Sequence, residues 1–209
     1  MPRASRAEAE RHREQVITAT SKLVRTHGAD KVSVPQAMAA AGLTHGGFYR
    51  HFASKDDLIA QACSAAFAER LAAMEEPPEG EDTVATRTAF LTGYLSARHR
   101  DNPALGCAAA ALAVDAARAE PGDPLKEAFA EGIRNLIGGM QRNARRSDGG
   151  AADEESVLVE LSTMLGALVL SRACAGDDLS DRILTAARDH VLGGHENTPD
   201  TKDSSGTDE

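Results

Sequence analysis

Helix stops and starts recur along this chain at intervals of one helix, and they leave little room for any other regular structure. Gly28 closes a first striped segment, Ser33 opens a second with Gln36 three residues on, Gly42 ends it, and Thr44 and Ser54 open two more. Hydroxyls at such positions accept from amides that a first helical turn leaves unpaired. Glycine supplies the left-handed backbone on which helices end. Between these marks Ala, Leu, Glu and Arg dominate, and no run of alternating β-branched residues suggests a strand. The expectation is an all-α chain of about nine helices.

The first predicted helix spans about Ala7 to His27, with Val16, Ile17, Ala19, Leu23 and Val24 as its apolar stripe. Short helices follow after Ser33, with Pro35 tolerated in the first turn, and after Thr44. Ser54, with Asp57 three residues on, caps a fourth that runs to about Met74. The breaker EEPPEGED, 75–82, separates an N-terminal head from a body. The body's helices are expected over Thr83–Arg100, from Asn102-Pro103 to about Ala119, from Asp123-Pro124 to about Arg146, over Glu154–Ala175, and from Ser180 to Gly193. The RRSDGGAADEE stretch divides the third of these from the fourth, and the polar tail 195–209 is expected to be disordered.

The net charge of −9 hides a division. Residues 1–55 carry nine Lys or Arg against four acids, whereas the remainder is strongly acidic. A basic head on an acidic body fits a polyanion partner for the head alone. The charged first residues do not resemble a secretory leader, and no apolar run is expected to approach the roughly 18 to 20 residues of a membrane helix. The expected location is the cytoplasm. Cys63, Cys107 and Cys174 are too scattered for a disulfide framework or zinc knuckle, and the seven histidines show no ligand spacing, so neither metal nor cofactor is expected.

Three of the seven aromatic residues fall within GLTHGGFYRHFASKDDL, 42–58. Phe48 and Phe52 are four apart and share a face, so they can anchor a very short helix to Leu43, Met38 and the first helix. Tyr49 points elsewhere, and its hydroxyl can reach a phosphate. Thr44 with the free amides at the helix start forms a second phosphate seat, and Lys55 a third. His45, Gly46, Gly47 and Arg50 would then face the groove. The two glycines permit close backbone approach at about 1 kcal/mol each in helix propensity. Short helix, turn, short helix is the helix-turn-helix arrangement. The alternative on spacing alone is a plain helical hairpin with an aromatic core.

The run SVPQAMAAAGLTHGGFYRHFASKDDL resembles the DNA-binding head of the tetracycline-repressor (TetR) family of bacterial transcription regulators, over residues 8 to about 60. The resemblance implies a helix-turn-helix domain over 1–53 and a helical effector-binding and dimerisation domain over 54–194. It also implies a homodimer on double-stranded operator DNA, with repression relieved by a small-molecule effector. By the resemblance Thr44, Tyr49, His51 and Lys55 fall on backbone contacts and His45 and Gly46 at the groove; Ser33, Gly47 and Arg50 complete the expected DNA-binding set. Gly47 departs from the family, where Thr, Ala or Ser is common.

The segment 157–174 is apolar nearly all round, as a helix buried on its own core and on a partner would be. The dimer candidates are Leu161, Leu165, Leu168 and Arg172, with Ile183 and Ala187 of the last helix. An effector cavity among the helices from 83 to 175 would be lined by Tyr94, His99, Asp115 and Thr163, with Phe90, Phe129, Met140 and Met164 as apolar walls. Cys107, expected about one turn into its helix, resembles the cysteine of those TetR-like regulators that carry a Gly-Cys pair there. Some of these sense electrophiles or oxidants through the thiol. Two rival readings remain: a helical thiol enzyme pairing Cys107 with His99, and an architectural DNA-binder with no sensor.

Overall fold

The computed structural model describes residues 6–75, 83–148 and 153–193, and among these it is helical throughout. Helix α1 (Arg6–His27) ends at Gly28, whose N–H bonds Val24 O at 2.9 Å with φ at +84°. Helix α2 (Val34–Ala40) starts on a complete capping box: Ser33 Oγ accepts from the Gln36 amide and Gln36 Oε1 accepts from the Ser33 amide. A 3-10 helix follows over His45–Arg50. Helix α3 (Lys55–Glu75) has the reciprocal cap expected of it, with the Asp57 amide on Ser54 Oγ and the Ala53 amide on Asp57 Oδ2.

The body comprises α4 (Thr83–Tyr94), α5 (Ala97–Asp101), a 3-10 turn (Pro103–Leu105), α6 (Ala108–Arg118), α7 (Pro124–Asp148), α8 (Glu154–Ala173) and α9 (Asp178–Gly193). Helix α3 belongs to both halves, since it packs along α1 and along α7. The contact with α7 is close. A Cβ at Gly132 would stand 2.3 Å from the Phe67 ring, so glycine is required where these helices meet.

Several expected elements take another form. Thr44 occupies the N-cap position of the 45–50 helix but makes no side-chain cap bond, and the helix is 3-10 rather than α. The segment expected as one helix over 83–100 breaks at Leu95-Ser96. There Ser96 Oγ donates to Gly93 O and accepts from the His99 amide, which ends one helix and starts the next. The helix expected from Pro103 splits into the 3-10 turn and α6. Cys107 is therefore the N-cap residue of α6 and not one turn inside it. Asp177, not Ser180, caps α9 by accepting from the Leu179 amide; Ser180 is buried and donates to Ser171 O at 2.7 Å. Helix α7 runs through RRSD to Asp148. Most of the 75–82 breaker and the tail 195–209 lie outside the described residues.

The expectation about apolar runs also changes. By length and composition Glu154–Ala173 could cross a membrane, although only a third of its apolar window is buried in this chain. One side of α8 (Val157, Leu161, Met164, Leu168, Ser171) enters the core, while Leu158, Val159, Gly166, Val169 and Leu170 stay outside.

Candidate nucleic-acid interface and body cluster

The anchoring role read for the aromatics is visible in the fold. Phe48 and Phe52 are buried, their rings stacked 5.5 Å apart, with buried Met38 of α2 in the same core. Tyr49 meets the Phe48 ring edge-on at 5.0 Å and is otherwise 79% exposed. Thr44, His45, Gly46 and Arg50 are exposed beside it, Gly47 is half-buried, and Ser33 is exposed at the start of α2. One continuous edge therefore presents a phenol, an imidazole, a guanidinium and open backbone.

The field around that edge is positive. Burial and then the cations His12, Arg50 and Arg13 hold the His51 imidazole below its ordinary pKa. A phosphate drawn to the same place would offset that repulsion. Lys55, at the start of α3, donates from Nζ to Asp30 O at 3.4 Å.

In the body, the expected effector residues separate into groups. Phe90, Tyr94, His99 and Cys107 come together with Arg70 of α3. The Arg70 guanidinium lies 4.8 Å from the Phe90 ring centre and 5.4 Å from that of Tyr94, a cation–π stack that sequence reasoning missed. Tyr94 and His99 meet edge-on at 4.6 Å. The Tyr94 hydroxyl is buried, with the Cys107 thiol beside it. Burial first, and then the adjacent Cys107, push its pKa well above the ordinary phenol value.

Asp115 belongs elsewhere. Its carboxylate accepts from the Ala29 amide at 3.1 Å and lies against Gly28, so it fastens α6 to the end of α1. Phe129 meets Phe67 edge-on at 5.7 Å in the α3–α7 contact. Met140 and Met164 are core residues, and Thr163 is half-buried on α8.

Cys107 is 2% exposed. Its backbone N–H, not its thiol, meets His99 Nε2, and His99 Nδ1 lies 2.8 Å from Tyr94 O. Arg98 and Arg100 flank this histidine in sequence, but the cations brought to it are Arg70 and Arg172, the latter donating from Nη2 to His99 O and from Nε to Arg100 O. Cys63 is buried, which pushes its thiol up to about 12; Cys174 is half-buried. Among the described residues no group of three or more His, Cys, Asp or Glu could hold a metal ion.

The expected dimer residues divide in the same way. Leu161 and Leu168 face this chain's own core, Leu165 is half-buried, and Arg172 is spent on backbone carbonyls. Ile183 and Ala187 on α9 are half-buried.

Residues 16–62 match the family described as bacterial regulatory proteins, tetR family, a stretch that contains the whole exposed edge. A TetR-family transcriptional regulator from Agrobacterium tumefaciens has a similar structure, with a TM-score of 0.71 at 18% identity over 89% of this chain and 98% of that one. A TetR transcriptional regulator from Chloroflexus aurantiacus is similar at 0.71 and 24% identity, over 91% and 97%. The reduced form of E. coli NemR is similar at 0.72 and 16% identity, over 87% and 95%. No curated protein matches this sequence. The likeness is therefore of two kinds, a head segment similar to bacterial regulatory proteins and an overall fold shared with solved transcriptional regulators. Residues 16–62 are similar to the tetR family of bacterial regulatory proteins, and the chain as a whole shares its fold with those solved regulators.

Proposed function

We propose that this protein is a cytoplasmic, homodimeric repressor that leaves its operator when a small molecule binds the body. The observation that carries the reading is the exposed edge of the 45–50 helix, held outward by two buried phenylalanines. Thr44, Tyr49, His51 and Lys55 take phosphates, and His45, Gly46, Gly47 and Arg50 meet the groove. The head covers 1–53 and the body 54–194. The apolar outer side of α8, with Leu179 of α9, is the twofold face; it replaces the inward-turned Leu161 and Leu168 in that role. An effector entering beside Phe90, Tyr94 and His99 acts by preferring the head spacing that does not fit DNA.

Tyr49→Ala and Lys55→Ala are each expected to weaken binding to all duplexes, and Lys55→Ala, which removes a charge, also to flatten its dependence on salt by about one unit of slope. Gel shifts from low to moderate salt measure both. Unchanged affinity in both variants would remove the DNA-binding assignment.

A second reading concerns Cys107, which stands against the buried Tyr94 phenol and beside Arg172 in a fold shared with NemR, a protein described in a reduced form. On this reading alkylation of the thiol is the signal. N-ethylmaleimide should release wild-type protein from DNA and leave Cys107→Ser bound; equal release of both would end the idea. A thiol hydrolase finds less support. Both nitrogens of His99 are engaged by backbone groups, so the ring has none left to take the thiol's proton.

A further inference from the structure

The peptide group between Gly106 and Cys107 is gripped on its two sides by different parts of the molecule. Its carbonyl accepts from Nη1 of Arg25, on α1, at 3.1 Å. Its N–H donates to Nε2 of His99, on α5, at 3.1 Å. Each grip is itself fixed. Arg25 is 4% exposed, with Nε on Ser21 O and Nη2 on Glu69 of α3 at 2.9 Å. His99 has Nδ1 against Tyr94 O, which places the ring proton there and leaves Nε2 as acceptor; burial holds its pKa down to about 4, so the ring is neutral near neutral pH.

There is no slack around the peptide. A Cβ on Gly106 would lie 2.8 Å from Arg172 Nη2 and 3.0 Å from His99 Nε2. Arg172 cannot retreat freely, because it holds the carbonyls of His99 and Arg100. Further along, Asp115 of α6 accepts from the Ala29 amide, so the turn that follows α1 is tied to this part of the body at a second point.

We propose that the Gly106–Cys107 peptide is the relay between body and head, and that Arg25 is the positioning residue through which its orientation reaches α1. The proposal rests on the effector-controlled reading above and names its path. Any event at Tyr94, His99 or Cys107 that turns this peptide plane takes the carbonyl from Arg25. A buried guanidinium that loses an acceptor must move to find another. Because Asp115 still holds Ala29, α1 swings about that point and does not detach.

The test is a double-mutant cycle on full-length protein, read as affinity for an operator selected from random-sequence DNA. Gly106→Ala and Arg25→Gln are each expected to lower affinity about tenfold, in the ordinary range of coupling between sites. The salt slope stays the same because the phosphate contacts are untouched. The double variant should match the single ones, since both break the same link. Effects that multiply, or a folded Gly106→Ala with wild-type affinity, would overturn the relay. If Gly106→Ala does not fold, His99→Leu takes its place, with the same non-additivity expected and the same multiplicative result against it. Tyr49→Ala runs in parallel: if it weakens binding while the cycle is additive, only the relay falls, whereas if it has no effect, the DNA-binding reading falls.

Discussion

Replacing Phe48 by alanine should cost about 3–5 kcal/mol of folding stability, the range for emptying a fully buried aromatic site, and should abolish operator binding. The ring is 0% exposed and stacks on Phe52, so nothing else can fill its volume without moving Met38 or α1. The helix it supports is only six residues long and has no side-chain cap, so local hydrogen bonding cannot hold its angle. Urea denaturation followed by circular dichroism gives the stability loss, and gel shifts at a temperature where the variant is folded give the binding loss. Phe48→Leu serves as the control: it keeps most of the apolar volume and should keep measurable binding. A Phe48→Ala protein that binds DNA normally would show that the ring is not the prop.

The second large effect is expected at Leu170→Glu. Leu170 is 55% exposed and Val159 56% exposed on a helix whose opposite side is core, and Gly166 between them leaves open space where a side chain would stand. If a twin copy covers this side, each substitution appears twice in the twofold contact, and each buried carboxylate costs on the order of several kcal/mol. Analytical ultracentrifugation should then show a monomer with an unchanged helical spectrum. Operator affinity should fall about a hundredfold or more, because two heads joined on one axis gain from the second half-site what a single head cannot. A Leu170→Glu protein that sediments as a dimer would place the contact elsewhere.

The parts of this molecule legible in the sequence are those decided within a few residues. The Ser33–Gln36 box, the Ser54–Asp57 cap, the Gly28 stop and the Phe48–Phe52 pair all depend on spacings of three or four, and all formed as expected. Where two local choices competed, the reading went astray. Ser96 looked like an ordinary helix residue, yet its hydroxyl bonds Gly93 O and caps the next turn, so the 83–100 helix divides. That break moves Cys107 from inside a helix to its cap. Long-range pairings left no trace at all: Asp115 with Ala29, Arg25 with Gly106 and Arg172 with His99 join residues more than seventy positions apart. The side of α8 that turns inward was equally hidden, because an all-apolar helix has no periodicity to report it.

The bareness of the 45–50 helix has an evolutionary corollary. A side chain added at Gly46 would meet nothing within 4 Å, and one at Gly47 only the end of Met38 at 3.8 Å. Both positions have ordinary backbone angles, unlike Gly28 and Gly42. A small side chain at either position therefore meets no steric bar from the fold, and drift at these two codons is filtered chiefly by the duplex outside. Descendants of this gene could acquire new target sites through them while inheriting the scaffold unaltered.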